Sequence, residues 1–256
     1  MTDLDEIRRR IAAHGHWYHQ IEVAPGILTP GDHASALALA HLDGLGLPAD
    51  CSGLRVLDIG CRDGFFSFAL ERRGATVLGM DYALPTSTGF SLASELVGSQ
   101  VEYLVENVYD LSPEKHGQFD LVLFLGVLYH LRHPLLAIDR IRDVCRPGAR
   151  VFVETQLLDE HFVLANGKAV RLSRVSHELS NVPLLEFFPR RTLNNDPTSK
   201  WAPNLACLRR LLEEALFEVT ADRVEGARGY AAARAVADDE LESMKRLDSS
   251  RGVHLP

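Results

Sequence analysis

The chain has 256 residues (28.4 kDa), 46% of them hydrophobic and 24% charged. That balance excludes a wholly disordered or fibrous chain and suits one domain with a modest appendage. A net charge of −8 speaks against a field that recruits nucleic acid or anionic lipid, leaving only a local basic groove for such partners.

Leu4 to Ala13 predicts a short charged helix, and Pro25-Gly26 marks a loop. Thr29-Pro30-Gly31-Asp32 has the order of a helix start, a capping residue and then Pro, for a helix running to about Asp43 and stopped by Gly44 and Gly46. From there short apolar runs alternate with helical patterns. Strands are expected at Leu54–Ile59, Ala75–Met80, Val101–Val105, Phe119–Leu125 and Arg150–Glu154. Helices are expected at Gly64–Arg73, Ser91–Val97 and Pro134–Cys145, the last ended by Pro147-Gly148. Gln156 to Pro203 interrupts the alternation and reads as a lid or insertion. Asn204 caps a helix through Phe217. Phe217–Val224 and Tyr230–Val236 form an antiparallel hairpin across Gly226–Gly229, and a polar tail follows from Asp238.

The expected architecture is α/β: a Rossmann-like, doubly wound, mostly parallel seven-stranded sheet with N-terminal helices and a lid insertion after strand five. Its parts would be an N-terminal helical cap (1–50), a cofactor-binding core (51–155), an acceptor-shaping insertion (156–203), a C-terminal helix with antiparallel strands (204–237) and the tail (238–256). No apolar run reaches the ~18 residues of a membrane span, and Met1–Arg10 is charged and carries no signal core. Cys51, Cys61, Cys145 and Cys207 form no CxxC pair, so neither a zinc site nor a disulfide framework is suggested. A cytoplasmic protein without a membrane partner is the expectation, and a homo-oligomer is left open.

The informative turn is Val56-Leu57-Asp58-Ile59-Gly60-Cys61-Arg62-Asp63-Gly64, a strand entering a glycine-bearing turn before a helix. Asp81 closes the second strand about 20 residues on, where an acid binds the two hydroxyls of a ribose. The glycines Gly60 and Gly64 do not make G-x-G-x-x-G, and Asp58 before the turn would repel a pyrophosphate but attract a cation. S-adenosylmethionine (SAM), with a sulfonium, an ammonium and no phosphate, fits better than a dinucleotide. Asp58-Ile59-Gly60-Cys61-Arg62-Asp63-Gly64 resembles the first motif of class I SAM-dependent methyltransferases, although Arg62 stands where the commoner form has glycine. Phe119 to His130 with Arg132-His133-Pro134-Leu135, Val151 to Thr155, Trp201-Ala202-Pro203-Asn204 and Ile21 to Gly31 resemble a narrower branch. That branch holds the tRNA wobble-uridine methyltransferase/carboxymethyltransferase and enzymes acting on small hydroxylated substrates, sugars among them. The resemblance implies that Gly60, Cys61 and Gly64 line the methionine part and that Asp81 holds the ribose, with Tyr82 beside it. It further implies that Asn107 and Val108 border the adenine and that Gly126 faces the sulfonium.

Tyr129, His130 and His133 follow the fourth strand, where the acceptor of a parallel-sheet enzyme sits. His130 is the first candidate for general base, with His133 as its rival. Glu154 ends the fifth strand and would orient the acceptor, make a structural hydrogen bond or hold magnesium; the metal question stays open. His14, His16 and His19 are spaced irregularly for a metal and suit a partly exposed loop, while Trp17 and Tyr18 either cover the core or form a flap over the cofactor. In the insertion Arg171, Arg174, Arg190, Arg191 and Lys200 lie among Phe187, Phe188 and Trp201, a mixture that suits a sugar, RNA or a solvated face. The expected activity is methyl transfer from SAM to a hydroxyl of a small acceptor such as a saccharide. A tRNA wobble-uridine enzyme and a non-catalytic nucleotide-binding domain are the alternatives.

Overall fold

The computed structural model describes residues 3–31, 35–160, 162–164, 166–193 and 195–236. The start of the second helix at Asp32 and the tail from Asp238 lie outside the described residues. Seven strands form the central sheet: β1 Arg55–Ile59, β2 Thr76–Asp81, β3 Glu102–Val105, β4 Phe119–Leu125, β5 Cys145–Gln156, β6 Phe217–Glu225 and β7 Arg228–Ala235. Their order is β6-β7-β5-β4-β1-β2-β3. β1 to β5 run parallel, and β7 inserts antiparallel between β5 and β6. The helices are α1 Asp3–His14, α2 Ser35–Gly44, α3 Phe65–Arg72, α4 Phe90–Val97, α5 Pro134–Asp143 and α6 Leu205–Glu214.

The strands are apolar on both faces because both faces are covered. Along β4, Val122 and Phe124 join one core and Leu121 and Leu123 the other; along β5, Val151 and Val153 are separated in the same way from Phe152. The parallel order brings the carboxyl ends of β1, β2 and β4 to one edge, with the strand order reversing between β1 and β4, where ligands of open α/β sheets bind.

Three local expectations are corrected. Thr29 does not cap α2: its hydroxyl donates to the His19 carbonyl (2.6 Å) and accepts from Ile21 N–H (2.8 Å), closing a hairpin in which Glu22–Ala24 pairs with Ile27–Leu28. Helix α5 ends at Val144, before Pro147-Gly148, and β5 already begins at Cys145. Proline has no N–H to pair, so the ladder with β4 skips from Cys145 to Arg150. The last hairpin has a two-residue loop at Gly226 and Ala227, so β7 starts at Arg228 and not at Tyr230. That shift sets Arg228 opposite Gln156 and Tyr230 opposite Glu154, all on one face of the sheet.

The segment after β5 carries two small ribbons, Phe162–Val163 with Ala169–Val170 and Leu185–Phe187 with Trp201–Pro203. Leu158, Leu172, Phe188, Leu193 and Ala202 give it a small core of its own. Among the described residues no helix is long and apolar enough to cross a membrane.

Candidate active site

A cleft of about 1110 Å³ opens over the carboxyl ends of β1, β2 and β4. That exceeds the volume one drug-sized ligand needs. The glycine turn forms its floor. Gly60 and Cys61 both donate backbone N–H to the Met80 carbonyl (2.7 and 3.2 Å), which ties the turn to β2. Gly60 has φ +77°, and a Cβ there would run into Val127 Cγ2, so the crossing of the β1 and β4 loops requires glycine. Gly64 has a different duty. It has φ +95°, and a Cβ would come within 2.5 Å of the Phe68 ring and 2.9 Å of Phe90. It therefore lets α3 start against α4, and it is not among the residues that line the cleft, where the resemblance had put it beside the methionine part. Cys61 is likewise turned away: it is buried, and its Sγ would lie 3.1 Å from a Cβ on Gly79, behind the turn. Arg62 keeps the left-handed backbone of the glycine it replaces (φ +53°) and lines the cleft.

Two buried carboxylates face this floor. Asp58 accepts from Ser67 Oγ (2.6 Å), and burial pushes its carboxyl up to about 6. Asp81 accepts from the N–H groups of Arg62 (3.2 Å) and Ala83 (2.9 Å). Both line the cleft, along with Tyr82, Asn107, Val108 and Gly126. Tyr82 is exposed at the mouth, and Val108 is buried at the base. Asn107 spends its side-chain oxygen on Tyr109 N–H (3.1 Å) to start a short turn. Acids on the wall with glycines at the floor suit a ligand of cations and hydroxyls and not a pyrophosphate.

The N-terminal segment supplies the next wall, through a residue whose role the sequence reading missed. Asp63, fully buried in the glycine turn, accepts the backbone N–H groups of Tyr18 and His19 (2.8 Å each) and pairs with His19 Nδ1. His19 is therefore buried and not part of an exposed loop, whereas His16 is exposed. Trp17 and Tyr18 divide the two expected roles. Trp17 is buried and its indole donates to the Ile11 carbonyl (3.1 Å); Tyr18 lines the cleft.

Of the three candidates after β4, Tyr129 and His130 line the cleft with their rings 3.9 Å apart. His133 does not: it is exposed, its ring lies 5.9 Å from Tyr109, and its backbone N–H donates to the Tyr109 hydroxyl (3.0 Å). His130 Nδ1 lies 2.9 Å from Thr198 Oγ1, which donates onward to Asp196 Oδ1 (2.6 Å). Because the threonine proton is committed to Asp196, Nδ1–H is the donor to Thr198 and Nε2 is left as the basic nitrogen. Burial lowers the His130 pKa below its ordinary value, against the pull of Asp196. Partial burial alone would raise Asp196, but hydrogen bonds from Thr198 and Ser199 outweigh it and hold the carboxyl down.

Glu154 is buried at the end of β5, and both its oxygens accept from Arg228, Nη2 at 2.8 Å and Nε closer still. Burial raises the Glu154 carboxyl while Arg228 opposes the rise. The guanidinium also sits 5.0 Å over the Tyr129 ring. A magnesium ion would have to displace that arginine, and among the described residues no three His, Cys, Asp or Glu side chains converge on a metal position. Of the five basic residues singled out in the insertion only Lys200 lines the cleft; Trp201 is buried, its indole donating to the Leu131 carbonyl (2.7 Å).

A ubiquinone biosynthesis O-methyltransferase from Xylella fastidiosa is 35% identical over 120 residues, 47% of this chain and 49% of that protein. A tRNA U34 carboxymethyltransferase from Campylobacter fetus is 27% identical over 166 residues, 64% of this chain and 50% of that protein. The chain thus spans about half the length of these curated relatives. Among solved structures, the N-terminal domain of EvdMO1 in the presence of SAH and D-fucose superposes with a TM-score of 0.61 at 23% identity, covering 93% of this chain and 98% of that one. The family described as a methyltransferase domain matches residues 33–196, and the chain belongs to it.

Proposed function

We propose that the protein is a SAM-dependent O-methyltransferase acting on a hydroxyl of a small acceptor, a saccharide. SAM supplies a methyl group on a positively charged sulfur; the chain holds the donor, aligns the acceptor and removes its proton. Asp58 meets the ammonium end, and Asp81, with Tyr82 beside it, the ribose hydroxyls; Asn107 and Val108 border the adenine. Gly126, without a side chain, leaves room at the sulfur.

The observation that carries the reading is His130 in the same cleft as these acids, hydrogen-bonded through Thr198 to Asp196 and with burial favouring its neutral form. A general base of this kind is needed for a hydroxyl acceptor. Tyr18, Tyr129 and Tyr230 beside Gln156 give the cleft the aromatic and polar surface a sugar uses. A fold neighbour crystallised in the presence of D-fucose is consistent with that choice. Labelled SAM offered with a panel of monosaccharides and, separately, total tRNA tests the reading. Label in a sugar ether is expected; label in tRNA alone overturns it.

Carboxymethyl transfer to a tRNA wobble uridine is favoured by one observation. Arg228 is a cation in the cleft, suited to a carboxylate on the transferred group. The Nε–Nη2 edge of its guanidinium is already turned to Glu154, however, so its charge is compensated before any ligand arrives. A non-catalytic nucleotide-binding role would appear in calorimetry as no heat with SAM.

A further inference from the structure

We propose that Arg62 is the residue that recognises the carboxylate of the donor's methionine end. The inference rests on the SAM reading above and adds a residue to it. Four non-glycine residues among those described have positive φ, and Arg62 is the one in the glycine turn that floors the cleft. For an L-residue that conformation costs about 1–2 kcal/mol relative to glycine. An arginine held there at a functional turn points to a use for its side chain.

The side chain has the place and the charge for it. Its guanidinium carbon sits 5.5 Å over the ring of Tyr18, which Asp63 holds against the turn through the Tyr18 backbone N–H. Two arginines line the cleft. Arg228 is clasped by Glu154, but no carboxylate lies within ion-pair distance of Arg62 among the described residues. Stacking on an aromatic face leaves the N–H edge of a guanidinium unspent. Asp58, on the same floor, has the sign for the ammonium; Arg62 has the sign for the carboxylate. The pair makes a zwitterion clamp around the amino-acid end of the donor; with the glycine of the commoner motif in place of Arg62, only the Asp58 half would remain.

Calorimetry with SAM and with decarboxylated SAM, on the natural protein and on Arg62→Gln and Arg62→Gly, tests the assignment without turnover. The natural protein is expected to bind SAM about tenfold or more tighter than the decarboxylated form, the range of one charge-assisted pair. Both variants should lose that preference by weakening SAM alone, with the decarboxylated form bound as before. Arg62→Gly should also raise the melting temperature, since glycine relieves the left-handed backbone, so a folding defect cannot imitate the result. If the variants keep the natural preference, the carboxylate is held elsewhere and the assignment of Arg62 fails while the donor reading stands. If the natural protein binds neither compound, both fail.

Discussion

Burial acts on Asp58 and His130 with the same rule and opposite signs: it disfavours the charged form, raising the acid and lowering the base. Each shift has a measurable consequence. Asp58 near 6 is about half protonated at pH 6 in the free protein. A cationic donor favours its ionised form, so binding should expel a proton below that pH. Affinity for SAM is then expected to rise with pH from 5 and level off above 7. Titrations at pH 5.5 in two buffers of different ionisation heat should show net proton release, abolished in Asp58→Asn; equal heats in both would sink the pairing. His130 must be neutral to accept a proton, and burial lowers its pKa, so the acid-side loss of activity should fall at lower pH than an ordinary imidazole would give. His130→Ala is expected to leave the Kd for SAM unchanged while cutting turnover by about 10²-fold. Thr198→Val should give an intermediate loss, because the ring keeps its place but not its tautomer. Undiminished turnover in His130→Ala removes the histidine from the mechanism. For Asp81→Ala, where a ribose contact is lost, weaker SAM binding is the expected readout.

Among the elements, the segment around Tyr18 is tied to the glycine turn through the side chain of Asp63. Asp63 satisfies two backbone N–H groups and the His19 ring in a fully buried setting. Asp63→Ala leaves buried donors without partners, at a cost of about 3 kcal/mol. Lower thermal stability and faster amide exchange at Tyr18 and His19 are expected, with Asp63→Asn partly restoring both. Exchange unchanged in Asp63→Ala would show that the segment is held by Trp17 packing instead. The parallel strands were legible because burial on two faces leaves apolar runs such as Phe119–Leu125, whose bounds coincide with β4. Asp58 and Asp81 were legible because strand, turn and helix fix their spacing locally. Arg228, Asp63, Thr198 and Asp196 were not, since each acts on a residue far along the chain. His130 and Thr198 are 68 residues apart, and Tyr18 and Asp63 are 45 apart, so no local periodicity marks the meeting. His133 shows the converse limit. Its position just before α5 suggested a second base at the rim, yet the turn at Leu128–His130 carries it past the cleft to Tyr109.

At the scale of the whole molecule, the cleft is walled by three pieces that the chain supplies separately: the N-terminal part with Tyr18, His19 and helix α2, the edge of the sheet with Asp58 and Asp81, and the insertion with Asp196 to Lys200. A ligand that touches all three binds only when they are assembled, so its binding energy adds to the stability of the fold. At a free concentration a hundredfold above Kd that linkage contributes about 2.7 kcal/mol. For a chain of this length it raises the melting temperature by roughly 5–10 °C. SAH, which keeps the amino-acid, ribose and adenine parts, should produce the full shift. NAD should produce none, because its pyrophosphate would meet Asp58 and Asp81, where a SAM-type donor offers an ammonium and hydroxyls. A thermal-shift series with SAH, SAM and NAD reads all three at once. A shift with NAD equal to that with SAH would mean that the acids do not set ligand choice, and no shift with any of them would mean that the three walls do not meet around an adenosine ligand.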